Sequence, residues 1–291
     1  MNSPPLINAY VLLADPAWVT RSISSYYPNV KRLIACYDRD SLSWSGQRVD
    51  VKACIELVRS IDTERKVVFV PGRFSDPDAN PLELDTRQRQ VALDAASDRA
   101  DWVLQLDTDE VVTDWPLMMD RLQACDNAGL RALWYPQRTI YARASKHIYF
   151  EAASRRFRSH SGHPGAVLVR PGTRLILARQ DDSPRVLLRI GRRAPDVPKR
   201  SCIVHLTWIR SREAMLFKAS TSGHSGDFDW APRLAAWQDS HQQPIRFFLR
   251  NLRSQMPARL RPCWIGDDFD DPLARFGAPR SPTTSIIDEP G

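Results

Sequence analysis

The chain has 291 residues, a formal net charge of +7, 43% hydrophobic residues and 26% charged residues. This composition is ordinary for a soluble globular protein, the length allows one large α/β domain or two small ones, and no run approaches the roughly 18 apolar residues of a membrane span. The start Met-Asn-Ser-Pro-Pro does not resemble a signal peptide, and the five cysteines are scattered without Cys-X-X-Cys spacing. We therefore expect reduced thiols in a cytoplasmic protein.

Charge is distributed unevenly along the chain. Residues 1–130 hold 14 Lys and Arg against 20 Asp and Glu, residues 131–262 hold 25 against 8, and residues 263–291 hold 2 against 6. A basic middle segment suggests binding to polyanions such as phosphates, lipid headgroups or nucleic acid. Arg supplies 22 of its 25 cations, which suits bidentate phosphate contacts. The alternative is a solvated basic surface.

Hydrophobic runs alternate with amphipathic segments over the first third of the chain. Strands are predicted at 6–13, 31–37, 66–70 and from 102, with helices at about 16–27, 51–61 and 84–96 between them. The first of these helices is predicted to begin with Asp15 as N-cap and Pro16 at its first position. This order predicts an α/β fold with a mostly parallel central sheet flanked by helices, whose ligands bind at the carboxyl ends of the strands.

The most informative stretch is the end of the fourth strand, where the apolar run 102–106 meets Asp-Thr-Asp-Glu. Three carboxylates at the end of a buried strand repel one another and resist desolvation. A divalent cation is the simplest compensation, and oxygen ligands suit Mg²⁺ or Mn²⁺. Because residues i and i+2 of a strand share a side, Asp107 and Asp109 can face one ion with Glu110 turned away. The alternative is a solvated loop leading to a helix capped by Asp114.

After that helix, which is predicted to run to about residue 124, the pattern is less regular. Further strands are predicted at 131–136, 166–169, 175–178, 185–190 and 202–208, and helices at 211–220 and 244–255. The tail from Asp267 is acidic and rich in Pro, so we expect loose order there.

Two segments carry a likeness to a known family. A strand ends in Asp38, and Arg89-Gln90-Val91-Ala92-Leu93 precedes Leu106-Asp107-Thr108-Asp109. This resembles the nucleotide-sugar half of GT-A glycosyltransferases, especially bacterial family 2 enzymes, whose members show Arg-Asn-X-Ala-Leu upstream of Leu-Asp-Ala-Asp. The Asn-Glu pair usual in the family's first loop is replaced by Ala14-Asp15, and the likeness covers residues 6–115 and, in part, the chain to about 225.

The resemblance implies a GT-A-like fold with a mixed acceptor-side region and C-terminal helices. Its parts would be a nucleotide-sugar-binding half at 1–130, an acceptor-side part that completes the metal site at 131–225, a helical segment at 226–266 and the acidic tail at 267–291. It implies a metal-dependent, inverting hexosyltransferase that moves a sugar from a UDP- or GDP-sugar to a hydroxyl of a glycan, glycolipid or lipid-linked saccharide.

The resemblance also implies roles for single residues. Asp38 would contact the base or ribose of the donor, Asp107 the ribose, and Arg89 the diphosphate or its carboxylate neighbours. Asp109 would bind the Mg²⁺ or Mn²⁺ that neutralises the leaving diphosphate.

The segment after residue 202 resembles the downstream part of related transferases. There His205 would complete the metal site, with His224 as a weaker candidate, and Arg210 and Lys218 would contact the diphosphate. The ordinary alternatives are a core histidine and charges on a helix surface.

An inverting transfer also needs a carboxylate base that takes the proton of the acceptor hydroxyl. The acids available between 131 and 195 are Glu151, Asp181 and Asp182. Their scarcity in a basic region makes them candidates, and solvated loop acids are the alternative.

A basic amphipathic helix is predicted from Pro244, with Ile245, Phe248, Leu249 and Leu252 at i, i+3, i+4 and i+7. Such a helix can lie on an anionic bilayer, which would place the protein at the inner face of the membrane and suit a lipid-linked acceptor. The alternative is a stripe that packs on the domain.

Two other function classes compete with the glycosyltransferase. A metal-dependent nucleotidyl or phosphoryl transferase could use the same carboxylates. A non-catalytic polyanion-binding protein could use the basic segment, but no helix-turn-helix, zinc-finger or RNA-recognition signature is present, so nucleic acid is not an expected partner.

Overall fold

The computed structural model describes residues 4–145, 148–153, 165–182, 197–223, 225, 229–252 and 259–264. The predicted strand at 185–190, the tail from Asp267 and His224 lie outside the described residues. Within them the chain is an α/β protein with a central, mostly parallel sheet flanked by helices, as predicted. In the described part of the chain no helix combines the length and the apolar character needed to cross a bilayer.

The described elements comprise thirteen strands and seven α-helices. The strands are β1 (Ile7–Leu12), β2 (Arg32–Asp38), β3 (Val67–Gly72), β4 (Trp102–Gln105), β5 (Glu110–Val111), β6 (Ala132–Leu133), β7 (Gln137–Arg143), β8 (Ile148–Ala153), β9 (Leu168–Val169), β10 (Leu175–Leu177), β11 (Gln180–Asp181), β12 (Ile203–His205) and β13 (Arg259–Trp264). The helices are α1 (Val19–Ser24), α2 (Val51–Ile61), α3 (Pro81–Ala96), α4 (Trp115–Asn127), α5 (Arg212–Thr221), α6 (Trp230–Gln242) and α7 (Pro244–Asn251).

The first sheet has the strand order β3-β2-β1-β4-β9-β6. Strands β1 to β4 pair in parallel, whereas β9 runs antiparallel to β4 and to β6. The chain moves outward from β1 to β3 and then returns to place β4 on the other side of β1. The order therefore reverses between β1 and β4, and in open α/β sheets the crevice at this switch point binds ligands.

Both faces of this sheet are covered. On β1, Ala9 and Val11 pack into one apolar cluster with α1, α2 and α4, while Tyr10 and Leu12 pack into a second cluster with α3. A strand buried on both faces is apolar at nearly every position, which explains the almost continuous hydrophobic runs of the first strands.

The second sheet has the order β13-β8-β7-β12-β5 and contains both parallel and antiparallel pairs. Strand β5 begins at Glu110, so the chain leaves the first sheet and enters the second within the stretch 107–110. Val204 pairs with Val111 and His205 pairs with Glu110. The acidic stretch is thus the joint between the two sheets, and β12 brings a histidine beside it.

Capping side chains set the starts of several helices. Helix α2 has the predicted bounds, and Asp114 caps α4 by accepting from the backbone N–H of Leu117 at 3.1 Å. Helix α3 starts at Pro81, three residues before the prediction, because Asn80 accepts from the N–H of Leu82. The prediction that Asp15 caps α1 was wrong: α1 begins at Val19, and the Asp15 carboxylate pairs with Arg210.

Several strands of the second half were not predicted, among them β7, β8 and β13. Strand β7 shows why, because its buried positions include Gln137 and Arg138, which interrupt any apolar pattern. Arg138 is tolerated there because its Nε donates to the Glu151 carboxylate of β8 at 2.6 Å.

A buried ion pair between Glu110 and Arg179 stabilises the connection between the two sheets. Glu110 is 1% exposed and its carboxylate accepts two hydrogen bonds from the Arg179 guanidinium, one of them 2.5 Å long. It also accepts from Gln137 Nε2 at 2.9 Å and from the backbone N–H of Asp107 at 3.1 Å. Three segments distant in sequence, 107–110, Gln137 and Arg179, therefore meet at one carboxylate.

We predict that Arg179→Met lowers the free energy of unfolding by about 3–5 kcal/mol, because it leaves Glu110 buried and without its charged partner. Urea denaturation measures the change. Arg32→Met is the control, because Arg32 and Asp98 form a pair that is 36% and 64% exposed and worth about 0–1 kcal/mol. Equal losses in the two variants would contradict a special role for the buried pair.

Candidate active site

A cavity of about 430 Å³ opens at the carboxyl ends of β1 and β4, where the strand order reverses. Its volume lies within the roughly 300–1,000 Å³ typical of small-molecule sites. The ionisable side chains that line it come from the loops after β1 and β4, the end of β2, α3, the β10–β11 turn, β12, the segment before α5, and α5 itself. They are Asp15, Asp38, Asp85, Arg89, Asp107, Asp109, Arg179, His205, Arg210 and Lys218.

Asp109 lies at the centre of a cluster of cations. Its Oδ2 accepts from Arg210 Nη2 at 2.9 Å and from Lys218 Nζ at 2.6 Å, and its Oδ1 lies 3.3 Å from His205 Nε2. Burial alone raises the pKa of this carboxyl, but Lys218, His205 and Arg210 hold the pKa well below its usual range. The carboxylate is therefore ionised and neutralised by side chains of the protein.

Asp107 has its own cation. Its Oδ1 lies 2.7 Å from Arg89 Nη2, and Arg89 Nε donates to Asp85 one helical turn away, also at 2.7 Å. Burial raises the pKa of Asp107, and Arg89 and Arg179 lower it further than burial raises it. The Asp107 side chain is 34% exposed, against 4% for Asp109, so it is the more open of the two carboxylates.

The three basic side chains around Asp109 differ in their exposure to solvent. Arg210 has a side chain only 2% exposed, because its Nε donates to the Thr207 carbonyl at 2.9 Å and its Nη1 pairs with Asp15. Lys218 and His205 are 28% and 22% exposed. Arg210 therefore holds Asp109 in place, whereas Lys218 and His205 remain able to contact a ligand.

Asp38 lines the same cavity, but its carboxylate already has three backbone donors. Oδ1 accepts from the N–H groups of Asp40 at 3.0 Å and Leu42 at 3.2 Å, and Oδ2 accepts from Phe74 at 2.7 Å. Asp38 thus shapes the loop after β2. Trp44 of that loop donates from Nε1 to the Gln88 side chain of α3 at 2.8 Å. The Trp44 ring is thereby held against α3 and forms an apolar part of the cavity wall.

The three acids predicted as the base lie elsewhere. Glu151, Asp181 and Asp182 are all described, and none of them lines the cavity. Glu151 is 1% exposed in β8 and pairs with Arg138 and Arg261. Asp181 is buried and its carboxylate oxygens accept no hydrogen bond from the described residues, and Asp182 is exposed. Their scarcity in a basic segment was therefore a misleading signal, since Glu151 serves to pair buried arginines.

Sequence reasoning missed several cavity residues. Asp15 was assigned to a helix cap, and Arg179 lies in a turn-rich stretch with no motif. Asp85 could have been found, because it precedes Arg89 by four residues on a predicted helix and such pairs are neighbours.

The residues of the site fit a divalent cation that is shared with a ligand. Among the described residues no three His, Cys, Asp or Glu side chains form a metal cluster. Mg²⁺, however, is usually held by one or two carboxylates together with substrate phosphates and water, so a complete protein cage is not required. Asp107 and Asp109, with His205 beside them, fit that arrangement.

No protein-family model matches the chain, and no curated protein matches it. Among solved structures it is similar to 4-diphosphocytidyl-2C-methyl-D-erythritolsynthase from Anaerococcus prevotii, with a TM-score of 0.30, 13% identity and 50% of this chain covered. It is also similar to mannose-1-phosphate geranyltransferase from Thermus thermophilus, with a TM-score of 0.25, 13% identity and 57% covered. The chain spans 59% of the first protein and 50% of the second. TM-scores this low do not establish a shared fold, so neither likeness indicates a substrate.

We predict that Glu151→Gln lowers the free energy of unfolding by about 3–5 kcal/mol, because Arg138 and Arg261 would lose their shared carboxylate. Asp182→Asn, at an exposed position, should stay within about 0.5 kcal/mol of the parent. Urea denaturation of both variants provides the comparison. A Glu151→Gln protein as stable as the parent would remove the structural role assigned to this acid.

Proposed function

We propose that the protein is a glycosyltransferase that moves a sugar from a UDP- or GDP-sugar to a hydroxyl acceptor. The observation that carries this proposal is the cavity at the switch point, whose wall sets Asp107 and Asp109 beside Lys218, Arg210 and His205. A nucleoside diphosphate leaving group develops negative charge as the sugar bond breaks, and cations placed beside it stabilise that charge.

The two ends of the cavity suit the two ends of such a donor. Leu12, Leu42, Trp44 and Val49 provide an apolar wall for the nucleoside. Lys218 provides the cation for the diphosphate, because its ammonium carries N–H groups beyond the one directed at Asp109.

We propose Mg²⁺ or Mn²⁺ as the cofactor, held by Asp107 and Asp109 with His205 as a third candidate ligand. The ion would act as a Lewis acid toward the departing diphosphate. Arg210, fixed by Asp15 and Thr207, keeps the Asp109 carboxylate oriented toward the cavity. Lys218 binds and orients the phosphate oxygens.

An inverting transfer requires a base near the acceptor. Among the described acids that line the cavity and are not assigned to the metal, Asp15 is the most exposed, at 30% of its side chain. It replaces Glu151, Asp181 and Asp182 as the candidate carboxylate within reach of an acceptor.

The basic middle segment gives little support to a polyanion-binding protein. Arg138, Arg179 and Arg210 are buried, and each pairs with a carboxylate. Part of the positive charge is therefore neutralised inside the protein and is not available on the surface to bind nucleic acid.

We predict that calorimetric titration detects UDP or GDP binding in the presence of Mn²⁺ and weaker binding in EDTA. Lys218→Met should raise Kd roughly ten- to hundredfold, the equivalent of about 1.5–3 kcal/mol for a hydrogen bond to a charged group. Asp109→Ala should abolish the effect of Mn²⁺. Asp182→Asn is the matched control and should bind like the parent, because Asp182 lies outside the cavity.

Failure of both nucleotides to bind the folded parent would contradict the proposal. Binding with equal affinity in Mn²⁺ and EDTA would reject metal dependence and leave the nucleotide site standing.

The product of turnover separates the two transferase classes. In the presence of an acceptor, a glycosyltransferase releases a nucleoside diphosphate from the sugar donor. Without an acceptor, it hydrolyses the sugar donor slowly to the same nucleoside diphosphate. Release of pyrophosphate from a nucleoside triphosphate and a sugar phosphate would instead identify a nucleotidyltransferase. Phosphorus NMR of the reaction mixture distinguishes these products.

A further inference from the structure

Helix α7 is anchored to the domain by aromatic side chains on one face. Phe247 is 4% exposed and stacks on Tyr141 with ring centroids 6.4 Å apart, and Phe248 stacks on Phe150 at 4.7 Å. The sequence had placed Phe248 on the apolar stripe and had not singled out Phe247. The helix is thus held on the domain by Phe248, which belongs to the predicted stripe, and by Phe247, which does not.

The rest of that stripe faces away from the protein. Ile245 is 63% exposed, Leu249 is 59% exposed and Leu252, just after the helix, is 42% exposed. The spacing i, i+4, i+7 places the three on one side of a helix. Three large aliphatic side chains therefore lie together in solvent on a helix whose opposite side is buried. Scattered single exposed apolar residues are normal, but a group of them on one helix face indicates a contact surface.

Arginines border this aliphatic stripe. Arg246 and Arg250 are exposed and follow Ile245 and Leu249 by one position, so they lie along the same edge of the stripe. Between Pro244 and Leu252 the chain has no acidic residue. Arg246 donates to the neutral Gln243 side chain at 3.2 Å, and Arg250 pairs with Asp239 of α6.

We propose that α7 is a docking surface for an anionic lipid bilayer. The aliphatic stripe would enter the boundary between headgroups and acyl chains, while the arginines at its edge contact the lipid phosphates. Phe247 and Phe248 fix the angle at which the domain meets the surface. The proposal does not depend on the nucleotide site.

The chemistry of the stripe favours a bilayer over a second copy of the chain. A two-fold contact through α7 would bring the same patch from both copies together, so Arg246 and Arg250 would face their own equivalents. The exposed stripe itself contains only Ile and Leu, and Leu is under-represented among the residues that dominate binding at protein interfaces.

The test is co-sedimentation of the full chain with vesicles of phosphatidylcholine alone and of phosphatidylcholine mixed with phosphatidylglycerol. The parent should pellet with the anionic vesicles, and less so at high salt. Ile245→Ser with Leu249→Ser should reduce binding about tenfold or more. Arg246→Ser and Arg250→Ser should each reduce binding to anionic vesicles about fivefold. Val91→Ser, an exposed apolar residue of α3, is the matched control and should bind like the parent.

Thermal unfolding should show that all variants remain folded, because the substituted side chains are exposed. Pelleting of the aliphatic double variant at the parent's level would overturn the proposal, as would failure of the parent to pellet with anionic vesicles. Light scattering that shows a dimer dispersed by Leu249→Ser would overturn it in favour of a second copy.

Discussion

The structure depends on neutralising the carboxylates of Asp107, Asp109 and Glu110, which stand buried or half-buried where β4 ends. The cations come from far along the chain: Arg179 for Glu110, and Arg210 and Lys218 for Asp109. Coulomb attraction between an acidic first part and a basic middle part thus determines how the two parts of the chain meet. The uneven charge seen in the sequence has this internal cause, in addition to any external partner.

The same stretch joins the two sheets and forms the wall of the cavity. Residues 107–110 lead from β4 into β5, and β12 pairs with β5 and places His205 beside Asp109. Binding groups from both parts of the chain therefore converge only when the sheets are joined. Because buried ion pairs contribute less to stability than their Coulomb attraction suggests, we interpret this network as a device that fixes geometry and keeps charge available to a ligand.

The sequence was informative where local pattern decides structure. Continuous apolar runs predicted β1 to β4, and the Asp114 cap and the bounds of α2 followed from residue type alone. The same pattern placed Asp107 and Asp109 at the carboxyl edge of the sheet, and the resemblance to glycosyltransferases implied that His205 lies near them. The structure brings these three residues together with Arg89, Arg210 and Lys218. Most of the second sheet was missed because buried pairs such as Arg138 with Glu151 interrupt hydrophobic periodicity, whereas β12 lies within the predicted strand at 202–208. The candidate bases lie outside the cavity lining, and one of them, Glu151, is the partner of buried arginines.

The central claim is that Asp109 and its cations form the diphosphate end of a nucleotide-sugar site. The most direct measurement is an anomalous difference map from crystals grown with Mn²⁺ and whichever of UDP or GDP binds. We expect a manganese peak bonded to Asp109, with the diphosphate between the metal and Lys218. A nucleotide bound elsewhere, or a diphosphate that leaves Asp109 and Lys218 paired only with each other, would contradict the claim.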